Sequence, residues 1–157
     1  MALEKRVFKA VYREYEKDPL PSRSENGRFH DRTTGKRTTY LASSAETAWK
    51  EVLHRWRARP ESYRIVEVAA KLSNVVDLTE PGNQMKYEVT SELLTGDDYT
   101  SCRELARRLR EEGVEGFWAY SRADRPSGRT LVVFLDQLLE GSFVTVQQVR
   151  AVDAPGA

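Results

Sequence analysis

Seven short stretches rich in β-branched and aromatic residues constrain this chain most. They are "RVFKAVY" (Arg6 to Tyr12), "TTYLA" (Thr38 to Ala42), "YRIVEVAA" (Tyr63 to Ala70), "NVVDL" (Asn74 to Leu78), "VEGFWAYS" (Val114 to Ser121), "RTLVVFL" (Arg129 to Leu135) and "FVTVQQV" (Phe143 to Val149). Such runs, bounded by Gly, Pro, Asn and Ser, read as strands. Helical periodicity is clear in only two places. Ala45, Ala48, Trp49, Val52, Leu53 and Trp56 form an apolar arc, opened by a Ser43–Glu46 capping box and closed by Pro60. Cys102, Leu105, Ala106 and Leu109 form another, with Ser101–Glu104 as its capping box and Gly113 as its stop. "PGNQMKYEVTSELLTGDD" between Pro81 and Asp98 reads as a short helix and a loop. Strands outnumber helices without strict alternation, so the expected fold is α+β, one compact domain with a mixed sheet flanked by helices. The expected domain spans 1–150, with 151–157 as a flexible tail.

Composition narrows the functional classes. Lys+Arg is 25 and Asp+Glu is 24, a net charge of +1. A nucleic-acid binder needs a basic excess, so direct nucleic-acid binding is not expected. One cysteine, Cys102, allows no disulfide and no cysteine zinc site, and His30 and His54 are too few for a histidine metal site. No metal is expected. No apolar run is long enough to cross a membrane, and the first residues are charged rather than leader-like, so a cytoplasmic protein is expected. Neither a phosphate-binding glycine motif nor a Gly-x-Ser-x-Gly elbow occurs. Cys102 lies on an apolar helix face, where burial is its expected role.

The stretch "GRFHDRTTGKRTTYLASSAETAWKEV" (Gly27 to Val52) carries the candidate chemistry. Arg28 follows an Asn-Gly turn; it is either a solvated loop arginine or a clamp for phosphate or ribose oxygens. Tyr40 on its short strand is either a half-buried strand residue or a stacking platform. Glu51 falls just outside the apolar arc, beside Ala48 and Thr47. It is either a boundary glutamate paired with Arg55 or a carboxylate facing a cleft with small neighbours. Ser121 ends its strand before the polar loop "RADRPSGRT", as a turn residue or a donor into a site. The helix "SCRELARRLREEG" has a dense charged outer face, read as solvated i,i+4 pairs or as a docking surface.

These residues resemble the RES domain family, the toxin half of bacterial RES–Xre toxin–antitoxin modules. The likeness rests on "NGRFHD", "TTYLASSAETAWKEV", "GVEGFWAYSRA" and "RTLVVF", and spans roughly Arg6 to Phe134. Phe29 stands where the family usually has Trp. A first-strand arginine of the family corresponds to Lys9, or to Arg13 in a shifted register. The resemblance implies a split mixed sheet like that of diphtheria-type ADP-ribosyltransferases, around a cleft for NAD as substrate. It implies that Glu51, Arg28 and Tyr40 carry the catalysis, and that Arg28, Tyr40 and Ser121 bind NAD. The implied reaction breaks the nicotinamide–ribose bond, with inorganic phosphate, water or a protein as acceptor. An Xre-type antitoxin is the implied protein partner, and a homo-oligomer stays open. The alternative is a non-catalytic nucleotide- or protein-binding domain degenerated from the same fold.

Overall fold

The computed structural model describes residues 1–24, 26–56 and 59–152; the side chains of Lys36, His54, Arg55 and Trp56 are not described. The expected Glu51–Arg55 pairing, the place of Trp56 on its arc and the tail beyond residue 152 therefore lie outside the described residues.

The strands are β1 (Leu3–Tyr12), β2 (Thr38–Ala42), β3 (Tyr63–Leu72), β4 (Val75–Asp77), β5 (Gly116–Tyr120), β6 (Arg129–Phe134) and β7 (Phe143–Ala151). They form one mixed sheet in the order β4-β5-β6-β2-β1-β3-β7. Only the β4–β5 pair is parallel; the other pairs are antiparallel. The helices are α1 (Ala45–Trp56), α2 (Pro81–Tyr87), α3 (Ser91–Thr95) and α4 (Tyr99–Glu111). The ambiguous stretch after Pro81 thus resolves into two short helices rather than one and a loop. The last strand runs through Ala151, opposite Arg64, one residue past the expected domain end.

Alternation along the strands gives the sheet two apolar faces. On one, Cys102, Leu105, Ala106 and Leu109 of α4 pack against Phe117, Val132 and Phe134. A leucine buried there contributes about 1.5–3 kcal/mol. On the same face, Ala48 and Trp49 of α1 pack on Ala42, Tyr63 and Ile65. The other face is built from Val7, Leu41, Val66, Val68, Trp118 and Leu131, among others. Cys102 is fully buried, and burial pushes its thiol pKa up. Leu53, expected on the apolar arc of α1, is 43% exposed.

Neither expected capping box forms. Helix α1 is capped by Ser44, whose hydroxyl accepts from the Thr47 N–H at 3.0 Å; Ser43 instead receives the Arg129 N–H at 3.0 Å. Helix α4 is capped by Asp98, which accepts from the Ser101 N–H at 3.1 Å. At α1 the adjacent serine takes the cap, and at α4 the cap lies three residues upstream at Asp98, a residue type that caps as well as serine. Gly113, at φ +77°, ends α4 as expected.

Buried Glu115 holds the far end of the sheet. Its carboxylate accepts the Ser73 and Asn74 N–H groups at 2.7 and 2.8 Å on Oε1, and the Leu139 N–H at 2.9 Å on Oε2. Burial pushes its pKa up, but the Ser142 hydroxyl and these N–H groups outweigh that and hold it below the ordinary 4.5. A depressed carboxylate contributes stability above its unfolded-state pKa and loses it as pH falls through the folded one. Glu115→Ala is expected to cost about 3 kcal/mol or more at neutral pH, because the amides lose their acceptor. The gap to wild type should narrow below about pH 4.5. Urea titrations of both proteins at pH 7 and pH 4 check this.

Candidate active site

Strands β1 and β2 are neighbours but share a single registered pair, Phe8 with Ala42. Beyond it, the rest of β1 pairs only with β3 and the rest of β2 only with β6. The sheet therefore opens as a wedge with its apex at Phe8 and Ala42. The segment between β1 and β2 folds into the wedge. The Ser22 N–H donates to the Thr38 carbonyl at 3.0 Å, and Phe29 packs edge-on to Phe117 at 5.0 Å between ring centroids. Phe29 is 4% exposed, so the aromatic after Arg28 anchors that loop in the core.

A cavity of about 450 Å³ fills the wedge. Arg28, Tyr40 and Glu51 all line it, from the loop, β2 and α1 respectively. Lys9, Arg23 and Arg122 line it too, and Glu51 is the single carboxylate among the described lining residues. Four basic residues thus line the cavity against one carboxylate, although Arg23 also pairs with Asp18 and Arg122 with Asp97, and such a lining favours an anionic ligand.

Glu51 is oriented by two hydroxyls. Ser121 Oγ donates to its Oε1 at 3.0 Å and Thr130 Oγ1 to the same oxygen at 2.9 Å. Ser121 is 1% exposed and does not itself line the cavity. Its strand end is fixed to α1 by Asp124, which accepts from Thr47 Oγ1 at 2.7 Å and from Lys50 Nζ at 3.2 Å. Thr130 sits on β6 between Ala42 of β2 and Ala119 of β5, small neighbours that let the glutamate reach the sheet.

Arg28 lines the cavity with its guanidinium turned toward α4. It donates to the Gly96 carbonyl and lies over the Tyr99 ring, 4.6 Å from the centroid. Tyr40 receives the Phe29 N–H on its hydroxyl at 3.0 Å and has His30 Nδ1 at 2.7 Å. Between the two first-strand candidates, the structure puts Lys9 in the cavity wall and Arg13 in an exposed turn after the strand. Lys9 Nζ donates to the Leu20 carbonyl at 2.7 Å and to Thr39 Oγ1 at 3.2 Å.

Sequence reasoning passed over Thr130 and His30. Thr130 left a faint signal, a hydroxyl residue at the head of the apolar run "TLVVF". By sequence alone His30 stands out only as a potential metal ligand; among the described residues no group of three or more His, Cys, Asp or Glu could hold a metal ion. The charged face of α4 is also less solvated than expected. Arg107 pairs with Glu104 and Glu111 on the surface, but Arg103 Nε donates to the Gly27 and His30 carbonyls at 2.9 and 3.2 Å.

A family model described as the RES domain matches residues 4–152. The chain belongs to the RES domain family. Among solved structures, this RES domain is similar to a chain of the M. tuberculosis MbcT–MbcA toxin–antitoxin complex, with TM-score 0.80 and 19% sequence identity. That match covers 97% of this chain and 86% of the other. At this identity the likeness shows the fold: a compact α+β domain with the mixed sheet described above. No curated protein matches the sequence.

The environment of Lys9 in this RES domain is testable by itself. Burial, and secondarily the Arg23 charge, lower its pKa from 10.5 to about 7, against the opposing pull of Asp18. Between these values the unfolded chain binds more protons than the folded one, so Lys9 makes stability rise with pH there. Wild type should gain stability from pH 7 to 9.5 relative to Lys9→Met, which lacks the ammonium. Denaturant titrations at both pH values check it; parallel pH dependence of the two proteins would refute it.

Proposed function

We propose that the cleft binds NAD and that the protein breaks the bond between nicotinamide and ribose. The observation that carries this reading is one fixed carboxylate, the Tyr40 ring and several basic side chains around a single cavity. Breaking a glycosidic bond to a cationic leaving group builds positive charge on the sugar. Nicotinamide leaves neutral, so no strong general acid is required. Glu51 would stabilise the developing charge and hold ribose hydroxyls, and electrostatic stabilisation of this kind works best from a group already oriented. Ser121 and Thr130 supply that orientation and are positioning residues. Tyr40 offers its ring to the nicotinamide or its ribose. Arg28 and the other cations would hold phosphate and ribose oxygens and set register.

Membership of the RES domain family supports a toxin role, and the MbcT–MbcA chain it resembles comes from a toxin–antitoxin complex. We infer an Xre-type antitoxin as partner, and phosphate, water or a protein side chain as acceptor.

The purified protein is expected to release nicotinamide from NAD. Glu51→Ala should lower the rate about 100-fold or more, as for loss of a transition-state electrostatic contact. Ser121→Ala and Thr130→Val should each lower it about 5-fold, because the second hydroxyl still holds Oε1. Equal release by wild type and Glu51→Ala would defeat the enzymatic reading. Reactions with and without phosphate, resolved by chromatography, identify the acceptor. In bacteria, expression of wild type should arrest growth, and Arg28→Ala or Glu51→Ala should restore it. Growth curves in which the variants are as toxic as wild type would remove these residues from the mechanism.

A further inference from the structure

His30 is 3% exposed, and the chemistry above gives it no part. Its imidazole is nonetheless held on every side. A Cβ on Gly27 would collide with Cε1, and one on Gly35 would lie 3.2 Å from Cδ2, so glycines at both positions make room for the ring. Its Nε2 lies 3.0 Å from the Ser24 carbonyl and 3.4 Å from the Ser22 hydroxyl. Its Nδ1 lies 2.7 Å from the Tyr40 phenolic oxygen.

These partners fix the protons. A carbonyl oxygen can only accept, so Nε2 carries a hydrogen. Burial pushes the imidazole pKa below 6.5; Arg103 from α4 and Lys9 from β1 act in the same direction, while the Ser24 bond and Asp31 oppose them. A ring that is neutral at pH 7 with a proton on Nε2 has a bare Nδ1. A bare Nδ1 at 2.7 Å from the Tyr40 oxygen needs a donor, and the phenolic O–H is that donor, while the same oxygen accepts the Phe29 N–H at 3.0 Å.

We propose that His30 is the positioning residue of Tyr40: it accepts the phenolic hydrogen at Nδ1, locks the ring against the cleft, and leaves Tyr40 to meet its ligand with the ring face rather than as a proton donor. The role of the ring rests on the NAD reading above; the hydrogen-bond assignment does not. The device spans three segments: the turn at Gly27, the loop carrying Ser24, and β2. Helix α4 backs it through the Arg103 bonds to the Gly27 and His30 carbonyls.

Nitrogen NMR of the histidine side chains at pH 7, with the His30 signals assigned by their loss in His30→Leu, should show Nδ1 unprotonated and Nε2 protonated. His30→Asn places an amide oxygen near the position of Nδ1, whereas His30→Leu fills the space without an acceptor. His30→Asn should keep kcat/KM for nicotinamide release within about 3-fold of wild type, and His30→Leu and Tyr40→Phe should each lose about 10-fold, the scale of one buried hydrogen bond. The double variant His30→Leu/Tyr40→Phe should lose no more than either single one, in kcat/KM and in Tm, because both remove the same bond. An Nδ1–H tautomer or a doubly protonated ring, additive losses in the cycle, or a His30→Asn protein as impaired as His30→Leu would overturn the proposal. If wild type releases no nicotinamide, the NAD reading falls by itself, and the tautomer and the Tm cycle decide this one.

Discussion

The structure depends on a seam in its sheet that closes at one point only. At Phe8 and Ala42 the β1–β3–β7 half meets the β2–β6–β5–β4 half. Past that point the inner edges of β1 and β2 separate, and their backbone groups need other partners. The intervening segment supplies one of these, the Ser22 N–H on the Thr38 carbonyl, and is itself tied to β1 by the Lys9 ammonium on the Leu20 carbonyl. What remains between the edges is the cavity. On the opposite face one apolar cluster runs from Val7, Val66 and Val68 across to Leu41, Trp118 and Leu131, so the opening does not cost the domain its packing.

A cleft made this way draws its wall from segments far apart in the chain. Helix α1 reaches over the seam because Ala42 and Ala48 are small enough to seat it close to the sheet. That approach lets Glu51 reach hydroxyls from β6 and from the end of β5. The loop carrying Arg28 is held immediately after it by two buried rings, Phe29 in the α4 core and His30 between glycines. Arg28 is thus a side chain on an anchored loop, with its guanidinium resting on Tyr99 and Gly96. Its reach into the cavity is set by α4 as much as by its own turn.

Much of the architecture was legible in the residues. The strands stand where alternation and β-branched runs put them, because a half-buried strand must repeat with period two. The caps were less legible. Ser43 and Ser44 are adjacent and chemically alike, and which one caps α1 depends on Arg129, whose amide takes Ser43 for the sheet. The role of Thr130 was barely legible, since a threonine at the head of an apolar strand looks the same whether its hydroxyl serves the backbone or a carboxylate.

The sequence by itself determined the seven strands, the helices α1 and α4, the buried face of α4, and the family to which Arg28, Tyr40 and Glu51 point. Those features are local: periodicity, turn residues and motif spacing. Tertiary structure alone decided that Ser121 and Thr130 converge on one oxygen of Glu51, that Lys9 rather than Arg13 faces the cleft, and that His30 stands behind Tyr40. Each of these is a contact between different elements: helix α1 on the sheet, β1 across the seam, and the loop on β2. Hydrogen-bond partners at such distances along the chain are selected by strand register and helix approach, which no local pattern of residues encodes.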